Sequence, residues 1–455
     1  MDINEKNHYS NIMLDFLKTA TTEIEALEGY YNKSIEIANK LIEECKEEYN
    51  VGLQIDGKVQ EINKSLQANS IEETKELIES IKKFELESGK QIEEYVDFNL
   101  NADDKGNKIT YTFKVFDDDK ANFYNPIEAR REMSKYKKHE RIVICSTLSD
   151  IIIIFERFLG GIYKGLILID PIKYFEDKTI KITELFNKRT SDVLIGCVER
   201  EVASNLFESI DLFDMVCKKE KIQIDRLREI RDSFLEIYFR RNIFVHNAGR
   251  VNEIYLSKIP EVYKDGMVLG QELLSDTTYI INSINTLFNV LCTLYYEIQA
   301  SKNPESTEWC DKLSILGFDL MLNGDFEKAK QIYLYLRKSS FLEFKEKAMY
   351  EINYILCLQQ VGLDKEARKE IESLDLSIAT NDFKIAKLCL EQNFKAVYES
   401  LSSDYPTSFD AKQIRDWPIF INFRESEHYM KFVKKHQDDF KMFVFDFNEN
   451  QDEVS

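Results

Sequence analysis

The residues of this chain best suited to chemistry lie between Tyr238 and Leu256, in the stretch YFRRNIFVHNAGRVNEIYL. Arg241 and Asn242 are followed by Ile243, Phe244 and Val245 and then by His246, in a chain that holds 5 histidines among 455 residues. Cleaving RNA without a metal needs a group of near-neutral pKa to move a proton on the ribose 2'-hydroxyl or the leaving oxygen. Histidine is the side chain whose ordinary pKa suits that task. It also needs a fixed cation on the phosphorane-like transition state, and the planar guanidinium of arginine gives a phosphate two parallel hydrogen bonds. Asn242 is placed to orient the imidazole or the scissile phosphate. The plainer alternative pairs Arg241 with one of the chain's many carboxylates and leaves His246 at a helix C-terminus, where the macrodipole favours it.

Geometry constrains the chemical reading. Residues five apart on a straight helix are separated by about 140° around the axis and about 7.5 Å along it. Convergence of Arg241 and His246 therefore needs the reach of arginine, a helix that loosens at Asn247-Ala248-Gly249, or a second copy of the motif across a dimer interface.

The Arg-Asn-x-x-x-His pattern resembles the HEPN ribonuclease superfamily, in which an Arg, a polar residue, three variable residues and a His lie near the end of a long helix in an all-helical domain. The extension His-Asn-x-Gly-x-Val-Asn, with Tyr255 and Leu256 after it, resembles HEPN-like proteins of bacterial defence and toxin systems. The resemblance runs from around Arg130 to Ala300, with the motif as its specific part. It implies a metal-independent endoribonuclease that needs no cofactor, working by 2'-hydroxyl transesterification to leave a cyclic phosphate and a 5'-hydroxyl. His246 would be general acid or base, Arg241 the transition-state clamp and Asn242 the orienting group. One motif per chain implies a homodimer with two motifs facing one cleft, and the setting implied is a toxin or an antiviral, abortive-infection effector. In one branch of the family a modified Tyr sits two residues after the His; that position here is Ala248, so regulation of that kind is not implied. The alternative function is a non-catalytic HEPN-like scaffold that binds a partner protein or RNA.

Several further residues are candidates for supporting roles. Tyr238 lies one turn before Arg241, where it stacks on a base or joins the core. Asn247 follows the histidine. Glu199 and Glu201, in Val198-Glu199-Arg200-Glu201, are candidates to hold Arg241 or tune His246, with surface solvation as the ordinary reading. The densest basic run, Arg130 to Arg141, is either a solvated helix face or a phosphate-tracking patch; Arg131, Lys135, Lys137, Lys138 and Arg240 are the candidate RNA contacts. Leu227, Ile230, Phe234, Tyr238 and Val245 have the spacing of one buried stripe on the motif helix. Arg241 continues it from Tyr238, so it is expected to point inward and to need a compensating partner.

Composition bounds these readings. Gly (15) and Pro (6) are scarce, which favours a mainly α fold. A formal charge of −20 argues against a general nucleic-acid coat, because non-specific binding draws on Lys and Arg; a local basic cleft is compatible with it. The eight cysteines are scattered without zinc spacing, as expected of reduced, mostly buried thiols in a cytoplasmic protein, and no metal site is implied. The N-terminus has no apolar signal region. The most apolar stretch, Ile142 to Ile169, is interrupted by charges, so it reads as core helix and no membrane association is expected.

Four segments follow in order. Residues 1–94 carry long amphipathic helices, with Ile12, Phe16, Ile24, Leu27, Tyr31, Ile35 and Ile42 at helical spacing and a turn expected near Asn50 to Gly57. Residues 95–128 switch to period two: Val96, Phe98 and Leu100, then turn residues, then Ile109, Tyr111, Phe113 and Val115, a small β-hairpin. Residues 129–300 are expected to form the HEPN-like bundle, with helices over Ile142 to Tyr163, Ile182 to Glu208, Ile224 to His246 and Asp276 to Ile298. Residues 301–455 open with a linker, SKNPESTEWC. There Leu313, Gly317, Leu320, Gly324, Phe326, Ala329 and Tyr333 resemble one tetratricopeptide (TPR) repeat, with echoes to Leu401. Trp417 to Phe432 is expected to cap this TPR-like array ahead of an acidic tail. A protein partner is expected to bind the array.

Overall fold

The computed structural model describes residues 3–67, 96–102, 109–115, 126–175, 179, 189–222, 224–304, 306–339 and 342–441. The side chain of Leu227, the hairpin turn, residues 182–188 and the acidic tail 446–455 lie outside what is described. Chain proximity divides the protein into two compact units, Met1–Ala26 with Leu148–Ser455, and Leu27–Thr147. The fold is mainly helical, and none of the described helices is long and apolar enough to cross a membrane.

Helix α1 (Ile3–Gln67) is continuous. The turn expected near Asn50 to Gly57 is absent: Gly52 and Gly57 cost about 1 kcal/mol each in a helix interior, too little to break so long a run. The apolar stripe holds, with Ile24 and Tyr31 fully buried and Leu27, Ile35 and Ile42 nearly so. The period-two segment forms an antiparallel pair, β1 (Val96–Ala102) with β2 (Ile109–Val115), whose register sets Phe98 opposite Phe113 and Leu100 opposite Tyr111. The basic run and the apolar stretch after it share one helix, α2 (Pro126–Ile169). Short α3 (Pro171–Phe175), α4 (Thr190–Leu206) and α5 (Ser209–Lys219) lead to the motif helix α6 (Ile224–His246), whose bounds match the sequence reading.

After α6 come α7 (Glu253–Lys258) and then α8 (Thr277–Lys302), which packs against α6 and is the most deeply buried of these helices, with Ile284, Leu287, Phe288 and Leu291 at zero exposure. The rings of Phe155, Phe213 and Phe234 tie α2, α5 and α6 together, the Phe155 and Phe234 centroids lying 4.4 Å apart. The start of α1 seats on α2 where glycines open a groove: a Cβ on Gly161 would lie 2.5 Å from Phe16, and one on Gly165 2.7 Å from Met13. Ser10 then donates to Gln299 on α8 at 2.8 Å.

Beyond α8 the chain forms three helix hairpins: α9 (Glu308–Leu322) with α10 (Phe326–Leu336), α11 (Phe344–Gln360) with α12 (Asp364–Ser373), and α13 (Asn381–Leu390) with α14 (Phe394–Asp404). Their turns repeat one hydrogen-bond pattern. Asp325, Leu363 and Asn393 donate their amides to the carbonyls of Leu320, Leu358 and Leu388, each five residues back. The residue before each donor is left-handed: Gly324, Gly362 and Gln392. Leu313, Gly317, Leu320, Phe326, Ala329 and Tyr333 of the first hairpin are all buried, as their spacing predicts. The expected linker is shorter than ten residues, because α9 begins at Glu308 and Trp309 is 2 % exposed. Short helical turns from Ala411 to Lys441 close the array, with Phe420, Phe423 and Phe432 fully buried.

One buried carboxylate joins three elements of the main body. Glu220, just past α5, accepts from Lys173 (2.9 Å) and Tyr174 on α3 and from Lys302 (2.8 Å) at the end of α8. Burial alone would push its pKa up; the hydrogen bonds from Lys173, Lys302 and Tyr174 and the charge of Lys302 outweigh that and hold it below the ordinary glutamate value. A depressed folded pKa gives stability that is present above the unfolded value, about 4.3, and is lost as pH falls through the lower folded value. Glu220→Gln should therefore cost roughly 3–5 kcal/mol at neutral pH. In urea titrations repeated down the pH scale, the gap between wild type and variant should close below about pH 4.3.

Candidate functional site

Helix α6 stays regular through His246, and the amide of Asn247 still donates to the Ile243 carbonyl at 2.8 Å. The helix ends on two left-handed residues, Ala248 (φ 52°) and Gly249 (φ 75°), and the Gly249 amide also turns back to the Ile243 carbonyl. Each residue of the extension after the histidine has a structural task. The Asn247 side-chain amide holds the Arg250 carbonyl at 2.6 Å. Val251 is buried and pairs through its backbone with Gly270 and Gln271. Asn252 caps α7 by accepting from the Tyr255 amide at 2.8 Å. Ile243, Val251, Tyr255, Ile259 and Leu273 form one apolar cluster.

Beneath this turn lies a buried ionic network. Glu236 accepts from Arg240 at 2.7 Å, from Tyr255 at 2.5 Å and, on its second oxygen, from Tyr279 of α8 at 2.7 Å. Arg240 also donates to the Leu274 carbonyl at 2.9 Å and lies over the Tyr279 ring, 4.0 Å from its centroid. Burial works against the Arg240 charge, but the neighbouring Tyr279, Glu236 and Tyr255 outweigh it and hold the guanidinium firmly protonated. Burial and the Glu236 charge keep the Tyr255 and Tyr279 phenols neutral.

These contacts correct three expectations. Arg240 is 8 % exposed and committed to Glu236, so it is not a surface contact for RNA. The inward, compensated arginine is Arg240 and not Arg241. Val245 does not continue the buried stripe of Phe234, since it is 46 % exposed. In the last turn the buried face belongs to Ile243, about 200° round the helix from Val245, because residues 251–273 return on that side. Glu236 was missed by the sequence reading, although its place four residues before Arg240 is the spacing of a helical ion pair.

Arg241 and Asn242 are half-buried and His246 is exposed. Among the described residues, the side chains of Asn242 and His246 make no hydrogen bond or ion pair. Among the described residues Arg241 has no carboxylate partner and its Nε is enclosed without a hydrogen bond, and its guanidinium lies 5.6 Å from the centroid of the half-buried Tyr238 ring. Since α6 is regular from Arg241 to His246, the two side chains leave it about 140° apart; the helix does not loosen between them.

The other candidates are placed elsewhere. Glu201 accepts from Asn205 at 2.9 Å and from Tyr163 at 3.4 Å, and Glu199 pairs with Lys164 at 3.8 Å, so both face α2. Arg131, Lys135, Lys137 and Lys138 are exposed on the part of α2 that belongs to the other compact unit, with Lys135 paired to Glu132. Among the described residues no group of three or more His, Cys, Asp or Glu side chains is arranged to hold a metal ion. Comparison of the chain with protein-family models, with curated proteins and with solved structures finds no match.

Two stability measurements check this account. Arg240→Ala strands the Glu236 carboxylate and should cost roughly 3–5 kcal/mol in chemical denaturation, whereas a mere surface contact would leave the midpoint unmoved. Ala248→Gly removes the steric cost of a left-handed Cβ and should raise stability by about 1 kcal/mol.

Proposed function

We propose that the protein is a metal-independent, HEPN-type endoribonuclease acting as a homodimer. The observation that supports this most is the contrast between neighbours along the last three turns of the motif helix and the chain reversal after it. Glu236, Arg240, Asn247 and Asn252 all have partners, while Arg241, Asn242 and His246 have no ion pair or hydrogen bond among the described residues. A half-buried arginine with no carboxylate partner among the described residues is suited to an external anion.

In the proposed reaction one His246 takes the proton of the ribose 2'-hydroxyl as its oxygen attacks phosphorus. The bond from phosphorus to the 5'-oxygen breaks, and a protonated His246 supplies the proton to that leaving oxygen. The products are a 2',3'-cyclic phosphate and a 5'-hydroxyl. Arg241 holds the non-bridging oxygens as charge grows on them, and Asn242 orients the phosphate. The 140° divergence within one chain is the reason for the dimer, which brings Arg241 of one copy towards His246 of another. Val245, Ile254, Val262, Val268 and Leu274, exposed on the end of the motif helix and the segment after it, are apolar surface that a second copy would cover.

The same divergence also favours a second reading, a HEPN-like scaffold without catalysis, in which the hairpin array, TPR-like in its spacing, binds a partner. Cleavage of a mixed RNA pool in EDTA decides between them. The nuclease reading expects cyclic-phosphate ends and a loss of roughly 10²–10⁴-fold in rate for His246→Ala and for Arg241→Ala, with folding unchanged by circular dichroism. No cleavage by a folded dimer, or equal cleavage by both variants, would overturn it.

A further inference from the structure

Two adjoining clefts open at the turn end of the second and third hairpins, of about 500 Å³ and about 390 Å³. Gln359, Asp364 and Gln392 line both, so the two form one continuous depression. Its lining is mostly polar, with Ile371 and Leu390 contributing apolar side chains to one cleft and Phe394 to the other.

Side-chain amides stand around these apolar side chains. Gln359 donates to the Leu390 carbonyl at 2.7 Å, and Gln360 donates to the Asn422 Oδ1 at 3.2 Å. Among the described residues that leaves the Gln360 oxygen, the Asn422 Nδ2 and both ends of the Gln392 amide uncommitted. The Gln359 Oε1 is enclosed and has no hydrogen bond among the described residues, which costs about 1–3 kcal/mol. Amide groups that offer both donors and acceptors beside the Phe394 ring match a peptide main chain, which presents both in alternation.

Charge selects the sequence. Asp364, Glu372, Glu391 and Glu425 line the joined cleft, and none is held in an ion pair or a hydrogen bond among the described residues. Of the two cations, Arg368 is equally free and Lys387 is spent on the Leu374 carbonyl at 2.7 Å. The shared wall is also strained: Gln392 is left-handed at φ 55°, where the other two hairpins have glycine. A side chain kept at such a position in spite of its cost is a mark of functional sites.

We propose that this joined cleft binds an extended segment of a partner protein that carries lysine or arginine side chains. The amides hold its main chain, Ile371, Leu390 and Phe394 take an apolar side chain, and the free carboxylates take the cations. RNA is the wrong ligand for it, since phosphates would meet four free carboxylates. The proposal stands independently of the nuclease reading.

The test is fluorescence anisotropy on the full chain with a labelled decapeptide of alternating lysine and leucine. Its glutamate counterpart and a labelled oligouridine serve as competing ligand classes. Because any acidic protein attracts a basic peptide, the comparison that decides is positional. Asp364→Lys with Glu391→Lys should weaken binding roughly tenfold or more, while the same charge change at Glu253 and Asp265, away from the cleft, should weaken it less than about twofold. Gln360→Ala with Gln392→Gly, which leaves the charge unchanged, should also weaken binding. Equal losses from the two charge-reversal pairs, no loss from the amide pair, or preferential binding of the acidic peptide or the oligouridine would overturn the proposal.

Discussion

The motif region depends on a single buried ion pair. Glu236 and Arg240 are both withdrawn from water, and the desolvation of two charges is offset by their mutual attraction and by the further hydrogen bonds from Tyr255 and Tyr279 to Glu236 and from Arg240 to the Leu274 carbonyl. Tyr255 brings the returning segment down onto the motif helix and Tyr279 brings α8 across it. The network thus sets the rotation of α6 about its axis. With Arg240 turned inward, the next residue is carried about 100° round the helix, which leaves Arg241 at the boundary between core and solvent. The ordering of the arginine that meets solvent follows from the burial of the one that does not.

The parts of this arrangement legible in sequence are those set by local rules. The bounds of α6 follow from its apolar spacing and from Gly249. The alternation of Val96 to Val115 is likewise a short-range signal. The first helix hairpin was readable because close contacts demand small residues: a Cβ on Gly317 would lie 3.0 Å from the Tyr333 ring. What was not legible depends on chain that returns from far away. Spacing alone assigns Arg241 to the stripe begun by Tyr238. Only the segment 251–275, folding back on the other side of the last turn, makes Arg240 the buried residue and exposes Val245. Likewise Gly52 and Gly57 look like a break, and the length of helix on each side overrides them.

The motif itself divides in two under the same scrutiny. The positions that made it recognisable as an extended pattern, Asn247, Gly249, Val251, Asn252 and Tyr255, terminate one helix, reverse the chain and start the next. Their spacing in this chain serves the fold. Arg241, Asn242 and His246 are a small remainder, without a hydrogen bond or ion pair among the described residues. Polar groups that a fold leaves unspent are a better guide to function than the length of a matching pattern.

The seat of the N-terminal segment has a consequence for the order of synthesis. Ser10 meets Gln299, and Asn11 accepts from Lys312, so the first turns of the chain bond to residues made some three hundred positions later. At about 5–20 residues per second, a ribosome needs roughly 15 to 60 s to span that gap. During this time the groove at Gly161 and Gly165 can form, but α8, which supplies Tyr279 to the Arg240 network, does not yet exist. The body that orients His246 therefore closes late, after most of the chain has been made. A nascent or truncated chain carries the motif without the architecture that aims it.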